Sequence, residues 1–366
     1  MQKIAFIGYY KAFCYEDIGG TNSIVRRLSN YMSKSMEIFH LTYDVDSIES
    51  SSSINGIKQH NFVSLKSMLL FAYKNKITNL MIIYIRPIDY LRLVIFRIFN
   101  RSIVFHFLIT GLSSSTFKAT VSKFIIKRIT NGKIFCVSKK LTTAFKDCGS
   151  RVAHIMPPVN DSFFTDGSLR DKKSNKKIRI AFMGRIDAGK GADIAINFFE
   201  KNNLSTEKFE FYLYGYPHES DPRSMEMHHK LLYEDSRTNY VQSPVWGGYS
   251  PKVDKFLANL IDEVDLFYLP YRTINSTIDT PLVPLEILAR SGIFLTTDFQ
   301  QLRDITPDRR FIVSIKEISN MSLIEERILE LTNKDYVPKN DNLLEELDFR
   351  TSSIAAFLGN KCFETE

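Results

Sequence analysis

Cysteine is sparse in this chain. Four occur in 366 residues, Cys14, Cys136, Cys148 and Cys362, and none are two residues apart. That spacing points to neither a zinc site nor a disulfide framework, and it fits reduced thiols. The seven histidines show no metal-ligand spacing. His228 and His229 are adjacent and would point apart on a helix, so no required metal is expected. Long apolar runs are also missing. No stretch reaches the roughly 18 uncharged residues of a membrane span. The longest candidate, Leu80–Gly111, is broken by Arg86, Pro87, Asp89, Arg92, Arg97 and Arg101. The apolar start Met1–Ile7 contains Lys3, is too short for a signal peptide and has no small-residue cleavage site. A cytoplasmic protein is the expectation. Two nucleotide fingerprints are absent as well. Residues 7–20 (IGYYKAFCYEDIGG) lack G-x-G-x-x-G, and the Walker pattern fails because residue 191 is Gly.

What is present fits two α/β domains, since 366 residues exceed one ordinary core. Apolar residues make up 44%, ordinary for a soluble globular protein. The net charge of +7 is unevenly spread. Residues 1–166 hold 22 Lys and Arg against 10 Asp and Glu, while residues 167–366 hold 26 against 31. The basic half suits an anionic partner such as a membrane surface or a lipid diphosphate, and equally a solvated lysine-rich surface. No nucleic-acid motif or basic–aromatic ladder accompanies it, so no nucleic-acid partner is expected.

Apolar runs alternate with helical patterns. Strands are predicted at Lys3–Gly8, Met36–Thr42, Asn79–Tyr84, Ser102–Ile109 and Gly132–Val137, with helices at Thr21–Ser33, Ile88–Phe99 and Ser114–Ile129. The plan restarts with strand Ile178–Met183, loop Gly184–Gly191 and helix Ala192–Glu200. Strands follow at Phe209–Tyr214, Tyr240–Gln242, Leu266–Leu269, Ile293–Thr296 and Phe311–Val313. The alternation implies parallel sheets covered by helices. The predicted division is an N-terminal domain over 1–165, a polar linker over 166–177, a second domain over 178–345 and a last helical stretch over 346–366.

Three segments carry the chemistry. Gly19 and Gly20 follow a strand and loop and open a helix, where bare N–H groups attract anions. In Gly184–Gly191 (GRIDAGKG), Arg185 and Lys190 flank a glycine-rich loop after a strand, so both cations can converge on one diphosphate. In Asp265–Thr297 a strand ends at Pro270, a polar loop follows, and a helix opens near Pro281 and closes at Gly292. It carries one acid, Glu286, at the mouth of a strand–loop–helix unit, where α/β folds hold phosphates and ribose hydroxyls. Asp44-Val45-Asp46 has the Asp-x-Asp form, but with 22 aspartates about one such triplet arises by chance.

These segments, in this order, resemble the group-1 (family-four) retaining glycosyltransferases over about the whole chain. The resemblance implies a GT-B fold: two Rossmann-like domains facing across a cleft, with the C-terminal helix crossing back to the first. It implies a nucleotide-diphosphate sugar as donor and no cofactor. Arg185 and Lys190 match the family's donor-phosphate cations, and Glu286 matches the glutamate that binds ribose hydroxyls. The family's other glutamate would fall at Ile278, so its sugar contact passes to the neighbouring Asp279. Backbone amides of Thr280, Leu282 and Val283 would cradle the diphosphate beside Gly184; Pro281 has none to give. Pro157-Pro158-Val159-Asn160 resembles the family's exit from the first domain.

The acceptor side departs from the pattern. Thr110, in Thr110-Gly111-Leu112, stands where many relatives carry histidine, and resembles a variant in relatives acting on lipid-linked bacterial glycans. His106 lies four residues earlier on the same strand face and fits either a core or an acceptor role. Arg86 with Asp89 fits an acceptor phosphate or a loop salt bridge. The greasy, basic segment Tyr90–Phe99 fits a covered helix with snorkelling arginines or one lying on an anionic membrane. The resemblance therefore implies transfer to a glycan or lipid-linked oligosaccharide acceptor, in O-antigen or capsule assembly, with peripheral membrane contact left open. A nucleotide-sugar epimerase and a non-catalytic nucleotide-sugar-binding or scaffold protein share the same frame.

Overall fold

The computed structural model describes residues 2–9, 20–44, 50–86, 88–112, 115–164, 177–234, 237–242, 251–273, 278–306, 308–333 and 347–363. It falls into two units, Met1–Asn160 with Asp348–Glu366, and Asp161–Leu347. The linker predicted at 166–177 lies outside the described residues except for Lys177, and so do Gly19 and Asp46. The division comes at Asn160 rather than 165 because the short turn Asp161–Phe163 packs against the helix Pro251–Glu263 of the second unit.

The first unit contains β1 (Lys3–Tyr9), β2 (Glu37–Tyr43), β3 (Ser50–Ile54), β4 (Ile57–Phe62), β5 (Asn79–Tyr84), β6 (Val104–Ile109), β7 (Ile134–Cys136) and β8 (Val152–His154). They form one sheet in the order β3-β4-β2-β1-β5-β6-β7-β8, parallel throughout except for β3. The order reverses between β1 and β5, the switch point of a doubly wound fold. Ile4–Ile7 is buried without alternation, as a strand covered on both faces requires. The helix Gly20–Met32 buries Ile24, Val25, Leu28 and Met32 along one face. Against it packs the helix Thr351–Phe363, which returns to this unit. The return is fixed at Val159, whose carbonyl accepts both the Thr351 N–H (2.9 Å) and its hydroxyl (2.8 Å).

The second unit contains β9 (Ile178–Ile186), β10 (Phe209–Pro217), β11 (Thr238–Gln242), β12 (Leu266–Leu269), β13 (Phe294–Thr297) and β14 (Ile312–Val313). All pairs are parallel, in the order β11-β10-β9-β12-β13-β14. Counted in chain order this is 3-2-1-4-5-6, the Rossmann arrangement, with its switch point between β9 and β12.

Three local differences from the sequence reading have physical causes. Residues 50–74, for which no element was predicted, form the β3–β4 hairpin and the helix Leu65–Lys74, capped by Ser64. β9 runs on to Ile186 instead of ending at Met183. Gly184 (φ 149°) pairs with Gly215 of β10, and a Cβ at 215 would lie 2.5 Å from the Gly184 carbonyl oxygen. Only paired glycines let the strands continue side by side. The hydroxyl of Ser224 then holds the Ile186 carbonyl. Finally, the helix bearing Glu286 ends in a left-handed Ser291 (φ 52°), not at Gly292. Ser291 and Gly292 donate to the carbonyls of Leu288 and Ile287, a Schellman closure.

Candidate functional site

The site of the second unit is built where β9 and β12 end side by side. Arg185 stands at the end of β9 and Lys190 in the loop that follows. Asp187 organises both: one carboxylate oxygen accepts from Arg185 Nε (2.6 Å), the other from the Lys190 backbone N–H (2.9 Å). Gly191 (φ 76°) then opens the helix Ala192–Lys201 from a left-handed conformation. This loop is fastened to the exit of β12. Arg272 and Thr273 donate their N–H groups to the Gly189 carbonyl (3.0 and 3.3 Å).

Tyr271 lies beneath that junction, almost wholly buried. The Lys190 ammonium sits 5.2 Å from its ring centroid, over the π face. Burial first, then the charges of Glu286 and Asp187, push the Tyr271 phenol well above its ordinary range. Tyr271 thus lies at the junction of the two loops and within reach of the charges of Asp187 and Glu286. Burial pulls the Lys190 ammonium down to about 8, against the upward pull of Asp187, and the charge of Arg185 adds to the drop. An ammonium so depressed regains its full charge when an anion arrives.

Glu286 is buried, at the fifth position of the helix Leu282–Ala289. Pro281 stands at the N-cap, and no side chain caps this helix start among the described residues. Leu282 and Val283 supply amides there; Pro284 cannot. Asp279 is buried in the preceding loop and accepts a hydrogen bond from Gln301 Nε2 (3.0 Å), beyond β13. Thr280 beside it is buried as well. The strand ends therefore gather Arg185, Lys190, Asp279 and Glu286 along one rim of the sheet. Asp187 and Tyr271 carry no predicted role, yet they hold this rim together. Asp187 did have a signal: an Asp three residues before an N–H it accepts is ordinary turn chemistry.

Neither a scan against protein-family models nor a search of curated proteins finds a match. Solved structures do match, along almost the full length of both chains. A sucrose-phosphate synthase from Thermosynechococcus elongatus aligns over 98% of each chain at 14% identity, with a TM-score of 0.66. HepE of Anabaena, in complex with UDP and glucose, covers 98% of this chain and 99% of its own at 12% identity, with a TM-score of 0.67. The lipopolysaccharide outer core galactosyltransferase WaaB covers 99% of each at 12% identity, with a TM-score of 0.62. The chain has the GT-B fold.

The first GT-B unit brings together two of the sequence-predicted positions. Thr110, just beyond β6, meets Thr21 at the start of the helix Gly20–Met32, hydroxyl to hydroxyl at 2.9 Å. Gly20 begins that helix. His106 is not presented to a ligand. It is buried, its Nδ1 accepts the Lys133 N–H (3.0 Å) and its Nε2 meets Asn79 Oδ1 (3.1 Å). Burial and the Lys133 charge take it down to about 4, so it is a neutral core histidine. Arg86 is likewise committed inside the GT-B unit. Its Nε donates to Asp89 (2.7 Å), and its guanidinium lies 4.9 Å from the Tyr9 ring centroid and 5.5 Å from that of Tyr43. Asp89 is wholly buried and also accepts from Arg92 (2.7 Å) and the Tyr43 hydroxyl (2.7 Å). Burial alone would raise this carboxyl; the hydrogen bonds from Arg86 and Tyr43 and the two guanidinium charges outweigh it and hold it below the usual carboxylate range. The salt-bridge reading of Arg86 is the one the geometry follows. Asp44 accepts from the Tyr9 hydroxyl (3.3 Å). Among the described residues no three His, Cys, Asp or Glu side chains gather as metal ligands.

Proposed function

We propose that this chain is a retaining glycosyltransferase that takes a nucleotide-diphosphate sugar on its second unit and a glycan acceptor on its first. One observation carries the reading: at the Rossmann switch point between β9 and β12, Lys190 lies over the Tyr271 ring, the charge of Glu286 acts on that phenol, and Asp187 ties Arg185 to the Lys190 backbone. Two cations there suit a diphosphate, and a buried carboxylate beyond them suits ribose hydroxyls. The HepE structure, which holds UDP and glucose on the same fold, makes uridine diphosphate hexoses the first donors to test.

In the reaction the bond from the anomeric carbon to the diphosphate oxygen breaks, and a bond to the acceptor oxygen forms on the same face. The acceptor's proton passes to the departing diphosphate oxygen. Arg185 and Lys190 stabilise the charge that develops on that group, acting where negative charge grows. The reading requires neither a metal nor a protein nucleophile. The acceptor we assign is a lipid-linked oligosaccharide of surface polysaccharide assembly, such as O-antigen or capsule. The basic first half and Thr110-Gly111-Leu112 support it, as does the likeness to a lipopolysaccharide galactosyltransferase.

A thermal-shift screen over nucleotide-diphosphate sugars identifies the donor, since a ligand bound to the folded state raises Tm by mass action. Radiolabelled transfer from that donor to a lipid-linked acceptor, in chelator, then tests the reaction. Transfer only to soluble small molecules would overturn the acceptor. Donor binding without any turnover would replace the enzyme with a binding protein, and conversion of donor alone to an epimer would select an epimerase.

A further inference from the structure

Two neighbouring helices of the first unit, Asp89–Phe99 and Thr116–Ile129, pack against each other and bury little of themselves. The first buries only Asp89 and Leu93. Its outer face exposes Leu91, Ile95 and Ile98, with Ile88 just before it, at the three- and four-residue spacing of a helical stripe. Phe99 ends that stripe, 80% exposed. The second helix repeats the pattern with Phe117 (77% exposed), Val121 and Phe124. Each stripe is the reverse of an ordinary surface helix, which keeps its apolar side inward.

The charge around these stripes has one sign. From Tyr90 to Lys146 the sequence has eleven Lys and Arg and no Asp or Glu. The flanking acids are neutralised: Asp89 is buried against Arg86 and Arg92, and Asp147 pairs with Lys127 (2.8 Å). Between the helices lies a hollow of about 500 Å³, lined by Arg97, Arg101 and Arg128 among Ile98 and Ile129. The Arg128 guanidinium stacks 5.4 Å from the Phe124 ring centroid. Apolar side chains facing outward, ringed by arginine and lysine, match an anionic bilayer: the side chains enter the acyl boundary while the cations meet phosphate.

We propose that this two-helix face docks the protein on an anionic phospholipid surface, with lipid phosphates at the Arg97–Arg101–Arg128 hollow. Docking is independent of donor chemistry. The test is sedimentation of the full chain with vesicles of phosphatidylcholine alone, or of phosphatidylcholine and phosphatidylglycerol in equal parts. The expected result is capture by the anionic vesicles only, weakening as salt rises. Arg101→Glu with Lys123→Glu weakens capture by ~10-fold or more, on the scale of about 1 kcal/mol per cation near the surface. Leu91→Gln with Phe124→Gln separately weakens it by ~10-fold or more through lost apolar insertion. Leu91, Phe124 and Arg101 are exposed and Lys123 is half-buried without being in the core, so the melting temperature and the donor-induced shift stay unchanged. Arg185→Ala keeps full vesicle capture, which separates this proposal from the glycosyltransferase reading. Equal capture by both vesicle types, or none, overturns it. So does a wild-type dimer in solution that the Leu91/Phe124 variant dissolves, because a second copy then covers the face.

Discussion

Gly191 and Pro270 touch so closely that a Cβ at position 191 would lie 1.8 Å from the Pro270 carbonyl oxygen. That contact presses the cation loop after β9 onto the exit of β12 and sets the distance between Lys190 and Tyr271. It depends on a residue with no side chain in a left-handed conformation (φ 76°).

Gly191→Ala should therefore damage the donor loop more than backbone conformation alone explains. Gly56, in the β3–β4 turn, has a similar φ of 79°, and a Cβ added there would meet nothing within 4 Å, so it isolates the conformational term. Gly56→Ala is expected to cost about 1–2 kcal/mol and leave donor binding intact. Gly191→Ala should cost more and remove the donor-induced thermal shift. Denaturant midpoints and the shift, measured on both variants, check the difference.

Asp187 supplies a second prediction, because it holds Arg185 and the Lys190 backbone at once. Arg185→Ala and Lys190→Ala each should lose the donor-induced shift. Asp187→Asn keeps an oxygen for the Lys190 N–H but removes the charge that positions Arg185. It should weaken donor binding by ~10-fold, the scale of a charge-assisted hydrogen bond. Calorimetric titration with the donor found in the screen measures it. Unchanged affinity in Asp187→Asn would remove Asp187 from the site.

Lys190 gives the site a pH signature. Its folded value, about 8, lies below the ordinary lysine value of 10.5. Between those values the unfolded chain keeps a proton that the folded chain has shed, so this group adds stability as pH rises through the window. Binding runs the other way. Arg185, Asp187, Tyr271 and Glu286 are the charged and titratable groups around the ammonium and its ring, and a diphosphate added to them favours the protonated form. Donor affinity should fall as pH rises above 8, and binding there should take up a proton. Calorimetry in two buffers of different ionisation enthalpy detects the uptake. Lys190→Arg keeps the cation and should flatten the dependence.

The central strands of both units were legible because they are covered on both faces. Asn79–Tyr84 and Leu266–Leu269 are continuous apolar runs, and the structure bounds them where the sequence does. Arg185 and Lys190 stood out through the glycines around them. Tyr271 did not, since one aromatic after a strand looks like any core residue until its neighbours are known. The β3–β4 hairpin hid behind Ser50–Ser53, four residues with no apolar alternation. Its only mark was Asn55-Gly56, and both residues indeed have positive φ (53° and 79°), the signature of a type I′ turn. His106 was ambiguous for another reason. Strand alternation gives the face a side chain occupies, but not the Lys133 N–H and Asn79 side chain that occupy its two nitrogens.

Two buried histidines should make the first unit sensitive to acid, with a smaller part from His60, which burial also holds below its ordinary value. His40 meets Ser29 Oγ (2.7 Å) through Nε2, and burial with the Arg26 charge takes it down to about 3. His106 is taken down to about 4. Both folded values lie below the ordinary 6.5, so the unfolded chain binds protons that the folded chain refuses. The stability they carry is fully present above 6.5 and is lost as pH falls toward the folded values. Each contributes a slope of about 1.4 kcal/mol per pH unit, and the two together about twice that. The clean window is from 6.5 down to about 4.5, before most carboxylates titrate. Denaturant unfolding at several pH values in that window, followed by a probe in the first unit, should give this slope. His106→Asn, which keeps a polar partner for Lys133 but cannot take a proton, should remove about half of it.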